Sequence, residues 1–192
     1  MAVLYNTQRA KRKMLENKQL IYKLRHGDKN ALRRIYEKYK DAMYAVAYSL
    51  LNEPAAAEDV LHDVFVNFAR IAPRFRLYGS LKNYLITCVL NRSRDMFRSK
   101  MYRIVEVERA RSKPAEGTNP QQQAIETEHE NILTQALTNV PQPQREVIIL
   151  HLHGGLKFRE IADIQDVSIN TVQGRYRYGL EKLRSILSGQ IQ

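Results

Sequence analysis

Phe158-Arg159-Glu160-Ile161-Ala162, a break at Asp166-Val167-Ser168, and then Ile169-Asn170-Thr171-Val172 decide how this chain is read. Two short helices that cross at a tight turn need a small residue at the crossing, and Ala162 supplies it. They need apolar anchors in a shared core, here Ile161, Val167 and Val172, and a polar start to the second helix. The spacing predicts a helix-turn-helix. In such motifs the first residues of the second helix enter the major groove, where Asn, Gln, Thr and Arg pair with base edges or phosphates. Asn170, Thr171, Gln173, Arg175 and Arg177 occupy that stretch. The alternative is a packed helical hairpin with a solvated polar face.

Working outward, the last helix is capped by Ser168 and carries Val172, Tyr176, Leu180, Leu183 and Leu187 on its inner side. Upstream, Ile132, Leu133, Ala136, Leu137 and Val140 precede Pro141 and Pro143, then Val147, Ile148 and Leu150 run up to the stop at Gly154-Gly155. These segments make a small helical domain over residues 131–192. Between 105 and 130 the apolar period is lost among Lys113-Pro114, Gly117, Asn119-Pro120 and three glutamines, the composition of a flexible linker.

Residues 1–104 form a second helical unit. Leu32, Ile35, Tyr36, Tyr39, Met43, Val46, Ala47 and Leu50 follow helical spacing, and Gly27-Asp28 can end a helix around Leu20 to Arg25 and cap the next. Pro54 suits a first helical turn ahead of Ala57, Val60, Leu61, Val64, Phe65, Phe68 and Ile71. After Pro73 and Gly79, Ser80 can cap a helix with Leu81, Tyr84, Leu85, Cys88, Val89 and Met96 inside. Four helices with short connections make a bundle. No segment alternates in the strand manner, so the expected fold class is all-α, two small helical domains joined by a flexible linker.

Charge points to the partner. Thirty-one Lys and Arg against 20 Asp and Glu give a formal net charge of +11, which attracts polyanions before any specific contact forms. The apolar stretch from Ala42 to Leu51 is about half of a roughly 20-residue membrane span, so no membrane insertion is expected. Arg9, Lys11, Arg12 and Lys13 are not followed by the apolar segment of a secretory signal, which leaves a cytoplasmic chain as the expectation. Cys88, the single cysteine, excludes an internal disulfide and a cysteine-rich zinc site, and reads as a core residue.

Two further constellations stand in the first domain. The fourth helix has a basic end, with Asn91, Arg92, Arg94, Arg98, Lys100 and Arg103 against Asp95. It adjoins Arg74, Phe75, Arg76 and Tyr78, where cations interleave with aromatics in a way suited to phosphates and to stacking on unpaired bases. Phe75 reads equally as a core plug under the loop. Glu58, Asp59, His62, Asp63 and Asn67 form a patch that would repel DNA. It suits either a protein partner with a basic surface or an ordinary solvated face.

The order of these motifs resembles the extracytoplasmic-function group of sigma factors, the two-domain specificity subunits of bacterial RNA polymerase. The likeness covers most of the chain. Ala57-Glu58-Asp59-Val60-Leu61-His62-Asp63-Val64-Phe65 is similar to that family's polymerase-binding helix. Gly79-Ser80-Leu81-Lys82-Asn83-Tyr84-Leu85 through Asn91-Arg92-Ser93-Arg94-Asp95 is similar to its promoter-melting helix. Pro143-Gln144-Arg145-Glu146-Val147 with the helix-turn-helix is similar to its reader of the -35 element. The resemblance implies a sigma factor that directs core RNA polymerase to promoters and aids melting, with no catalysis and no cofactor.

By the same likeness, Asp59, His62 and Asp63 would meet the clamp of the polymerase's large subunit. The loop Phe75 to Gly79 would capture a flipped base. The -10 element would meet Arg74, Phe75, Arg76 and Tyr78 together with Asn83, Asn91, Arg92, Arg94 and Arg98. The -35 element would meet Ser168, Asn170, Thr171, Gln173, Arg175 and Arg177. The linker would thread the RNA exit path, and an inhibitory anti-sigma partner is compatible with the family. The chain departs from the pattern at Tyr84, commonly tryptophan, at His62, commonly glutamine, and at Gln173-Gly174, commonly Lys or Arg followed by Ser.

His151 and His153 lie on different helical faces without a third ligand nearby, so a metal site is not expected. No phosphate loop, serine elbow or zinc-protease pattern occurs, so no catalytic residue is expected. The rival from another class is a repressor or activator whose first domain dimerises or senses a ligand. It would bind palindromic duplex unaided, whereas an initiation factor is monomeric when free and needs core polymerase.

Overall fold

A helix boundary drawn by Asp28 sets the first domain. Its carboxylate accepts the Asn30 backbone N–H at 2.8 Å, and Gly27 takes a φ of +84°, so the chain reverses between α1 (Ala2–Arg25) and α2 (Lys29–Leu51). The computed structural model describes the backbone of residues 2–110, 133 and 135–190, and side chains within 14–99, 133 and 135–188. Helix α1 is longer than the sequence suggests. Its described apolar face, Leu20, Ile21 and Leu24, is buried, and Asn17 is held by the Tyr39 hydroxyl at 2.9 Å.

Pro54 opens α3 (Pro54–Ile71), whose buried stripe is Ala57, Val60, Leu61, Val64, Phe65 and Phe68. A 3-10 turn at Ala72–Arg74 and an irregular loop lead to α4 (Leu81–Ala110), started by Ser80, whose Oγ accepts the Asn83 N–H at 3.3 Å. Helix α4 runs to Ala110, so its last turns cover the start of the stretch whose composition reads as linker; residues 111–130 lie outside the described residues.

The second domain comprises a helical stretch at 135–138, α5 (Gln142–Leu152), α6 (Phe158–Gln165) and α7 (Ile169–Gln190). No strand occurs among the described residues. Ala136, Leu137, Val140, Ile148 and Leu183 form its own small core. Val147, Ile149, Leu150, Leu156, Ile161, Ala162 and Val172 instead join the continuous core that contains Ile35, Val46, Leu85 and Leu90 of the first domain. Every residue of α5 from Arg145 to Leu150 is buried, so this helix has no solvent face over that span.

Two glycines of α7 have opposite surroundings. A Cβ at Gly179 would lie 2.8 Å from Ile148 Cδ1 and 3.1 Å from Gln144 Cβ, so the missing side chain lets α7 close on α5. A Cβ at Gly174 would meet nothing within 4 Å. Gly174→Ala should therefore stabilise the protein by about 0.5–1 kcal/mol through helix propensity. Gly179→Leu should destabilise it by about 1–3 kcal/mol through overpacking. Thermal melting checks both, at roughly 2–4 °C per kcal/mol for a chain of this size.

Candidate nucleic-acid interface

The turn between α6 and α7 is made by Asp166, left-handed at φ 51°, whose N–H returns to the Ala162 carbonyl. Ser168 then caps α7, its Oγ accepting the Thr171 N–H at 3.1 Å and touching the Thr171 hydroxyl at 2.9 Å. Ile161 and Val172 are fully buried and Ala162 nearly so, as a packed helix crossing requires. Ser168, Asn170, Thr171, Gln173 and Arg177 are exposed along the start of α7. Arg177 folds over the Tyr178 ring at 4.7 Å. Arg175 is half-buried, its Nη1 donating to Gln165 Oε1 at 2.8 Å.

The domain's two histidines separate as their helical positions imply. His151 donates from Nδ1 to the Leu156 carbonyl at 2.8 Å and packs against Phe158 and Tyr176, a structural role, while His153 is exposed. No cluster of three potential metal ligands occurs among the described residues.

In the first domain, Phe75 fills the space under its loop, with ring centroids 5.2 Å from Phe68 and 4.8 Å from Tyr84. Its neighbours Arg74, Arg76 and Tyr78 are exposed, and Tyr78 is 84% accessible. The plug thus presents two cations and one bare aromatic ring around itself. Tyr84 is wedged between Phe75 and Cys88. Burial, reinforced by Cys88, pushes its hydroxyl up to about 12, so it stays neutral. Burial likewise pushes the Cys88 thiol up, which makes it a packing group rather than a nucleophile.

The basic side of α4 is only partly free. Asn91 and Arg98 are exposed, but Arg92 pairs with Asp63 of α3 at 2.6 Å, joining the cationic helix to the acidic patch. Asp59 and His62 remain exposed beside a groove of about 770 Å³ between α2 and α3, floored by Leu32, Tyr36, Phe65 and Val66. The last three form an apolar strip that the charged residues rim.

Arg94 and Asn83 turn toward the second domain. Arg94 donates from both Nε and Nη2 to the Glu146 carboxylate of α5, and the Asn83 amide donates to Glu160 Oε1 of α6 at 2.7 Å. Glu160 also accepts the Lys157 N–H at 2.7 Å, closing the start of its own helix. Glu146 is 2% exposed, and it further accepts Gln142 at 3.0 Å and Gln165 at 3.1 Å. Burial alone would raise its carboxyl. The hydrogen bonds from Arg94, Gln142 and Gln165 with the charge of Arg94 outweigh that, and hold it below the ordinary range. The same bond raises Arg94. Burial lowers Arg145 next door.

The seam is not fully satisfied: Ser93 Oγ and Arg145 Nε are buried without a hydrogen-bond partner in the protein, each a cost of about 1–3 kcal/mol. Glu146, Glu160 and Gln165 are the seam residues to which sequence reading gives no role of their own. A signal existed for the first, because an acid at the head of the run Val147-Ile148-Ile149-Leu150 is buried with it and demands a cation.

The description "Sigma-70 region 2" matches residues 35–102, and "Sigma-70, region 4" matches residues 130–183. The chain is a sigma factor of the sigma-70 family, in its extracytoplasmic-function group. It is 27% identical over 179 residues to the ECF RNA polymerase sigma factor SigW of Bacillus subtilis, covering 88% of this chain and 96% of that one. It is 24% identical over 165 residues to the RNA polymerase sigma factor CarQ of Myxococcus xanthus, covering 86% and 94%. Some relatives are longer, and the match spans 38% of the probable RNA polymerase sigma factor RfaY of Xanthomonas campestris.

In fold, the sigma factor superposes on CnrH, solved in complex with the cytosolic domain of CnrY, with a TM-score of 0.67 at 21% identity over 91% of this chain and 98% of that one. It superposes on the sigma factor RpoE of Bartonella quintana, solved with the anti-sigma factor NepR, with a TM-score of 0.64 at 24% identity over 81% and 96%. As a sigma factor it serves promoter recognition and transcription initiation and is not an enzyme. No helix among the described residues is long and apolar enough to cross a membrane.

Glu146 makes the seam sensitive to acid. Its depressed carboxyl contributes stability that is complete above the ordinary glutamate value of 4.5 and is lost as pH falls through the lower folded value. The melting temperature of the wild type should therefore fall more steeply below about pH 4.5 than that of Glu146→Gln, as a thermal scan against pH will show.

Proposed function

We propose that this sigma factor is a cytoplasmic, monomeric initiation factor organised as residues 1–104 for polymerase docking and the -10 element, 105–130 as a tether whose first residues continue α4 to Ala110, and 131–192 for the -35 element. The observation that carries the reading is that one chain presents two separate DNA-facing chemistries. The start of α7 offers Ser168, Asn170, Thr171, Gln173, Arg175 and Arg177, with an exposed polar edge suited to duplex base edges. The loop after α3 offers Arg74, Arg76 and the bare ring of Tyr78 around the Phe75 plug, suited to an unstacked base and its phosphates.

Asn83, Asn91, Arg92, Arg94 and Arg98 extend the second surface along α4 as phosphate and base contacts for opened DNA. Melting then follows from preferential binding of the extruded base over the stacked duplex. Asp59 and His62, with Asp63 behind them, rim the apolar groove between α2 and α3 as the dock for the polymerase clamp. An acidic rim around an apolar floor selects a partner that brings cations around an apolar contact. An inhibitory anti-sigma protein is compatible with the reading, since the sigma factor RpoE, of similar fold, was solved with the anti-sigma factor NepR. The Gln173-Gly174 pair offers no cation where the family commonly has one, so phosphate grip at the upstream element rests on Arg175 and Arg177.

Run-off transcription with purified core polymerase on a genomic fragment library tests the whole reading: discrete transcripts sharing two upstream elements are expected. Their absence, with tight unaided binding to palindromic duplex, would replace it by a repressor. Asp59→Lys should weaken core polymerase affinity roughly tenfold, about 1.4 kcal/mol, without changing the melting temperature. Arg175→Ala should weaken use of promoters through the upstream element while leaving core affinity intact, measured by titration of labelled protein with core and by footprinting.

A further inference from the structure

We infer that Gln165 is a positioning residue for the upstream reader: it aims the Arg175 guanidinium at a base edge and so sets how sharply the duplex element is discriminated. This rests on the role proposed above for Arg175. Three helices of the second domain meet in one relay. Gln165 ends α6, accepts Arg175 Nη1 of α7 on its Oε1 at 2.8 Å, and donates from Nε2 to Glu146 Oε2 of α5 at 3.1 Å. One orientation of the amide serves both partners. A guanidinium carries donors alone and a carboxylate acceptors alone, so turning the amide over would set N–H against N–H and oxygen against oxygen.

Both ends of the relay are fixed by their surroundings. Glu146 is 2% exposed and is held in addition by Arg94 and Gln142. The left-handed residue Asp166 sets where α6 stops, and with it where the Gln165 amide stands. An arginine on an open helix surface must lose side-chain freedom when it settles against a base, and a guanidinium already held loses less. Nη1 is the only guanidinium nitrogen of Arg175 that is hydrogen-bonded among the described residues, so the rest of the fork is available to DNA. Its neighbours lack this support. Gln173 is exposed, Gly174 has no side chain, and Arg177 bonds to Tyr178, the next residue of its own helix. A cation held in one direction reads a base edge, whereas a free one settles on phosphate, whatever the sequence.

The test uses the full chain bound to core polymerase and a promoter library in which each base pair of the upstream element is varied in turn. Preference at each position is read from the sequences of the bound fragments. Arg175→Ala should reduce the preference roughly tenfold at one or two adjacent positions, as expected for the loss of one base contact. Gln165→Met, of similar volume but without the two hydrogen bonds, should reduce it roughly fivefold at the same positions and leave the others unchanged. Gln165→Glu retains an acceptor for Arg175 and should keep the preference within about twofold, although a second carboxylate facing Glu146 lowers the melting temperature. A purely structural role predicts the opposite order, with the less stable Glu variant losing more discrimination.

In the Arg175→Ala background, Gln165→Met should change nothing further, because a residue that acts through Arg175 has nothing left to position. Preference retained in Gln165→Met, preference lost at other positions, or a full additional loss in the double variant overturns the inference. If Arg175→Ala itself leaves every preference intact, Arg175 is not a base contact, and the functional reading of that residue fails along with the inference. That outcome is distinct from a failure confined to Gln165→Met.

Discussion

Helix α5 is the element on which the rest of the arrangement depends. Six consecutive residues, Arg145 to Leu150, are buried, and a helix buried all round must be covered on opposite sides. Ile148 faces α7 and the small core of the second domain, while Val147, Ile149 and Leu150 enter the core of the first. One four-residue apolar run thus joins two domains that are separate in sequence. Glu146, at its head, is carried inside with them, and the low-dielectric surroundings leave it no alternative to a cationic partner.

That burial explains how a chain with a large positive charge places the acids that lie along α4. Asp63, Glu146 and Glu160 each pair with a donor on α4. Glu58 and Asp59 stay at the surface, beside the apolar groove. Acids placed along a basic helix hold it in register with its neighbours, and acids left outside are available to another protein. The division follows from which side of α3, α5 and α6 each residue occupies, not from overall composition.

Much of the architecture was legible in the chain. Asp28, Ser80 and Ser168 cap the helices that their positions predict, and the crossing at Ala162 is packed as its size requires. The stripes of α2 and α3 are buried residue for residue apart from their edges, where Leu32, Tyr36, Leu50 and Ile71 are partly or largely exposed. What could not be read was the pairing of the domains. Periodicity reports which face of a helix is apolar, but not which neighbour covers it, and Arg94 and Asn83 look the same in sequence whether they meet phosphate or carboxylate. The choice open at Phe75 has the same origin: only the distances to Phe68 and Tyr84 show that its ring is a plug, leaving Tyr78 as the exposed aromatic.

The start of α7 separates two tasks along a single helix. Val172 and Tyr176 anchor it inward, and Gly179 sets its distance from α5, whereas Asn170, Gln173 and Arg177 face outward and Gly174 has open space around it. Exchanges on the outer face touch no core neighbour, so, on the proposed reading of α7 as the duplex reader, drift in the DNA sequence that is read need not pass through unstable intermediates. A lineage carrying this scaffold can acquire new target promoters by changing a few surface positions while the packing that defines the domain stays as it was.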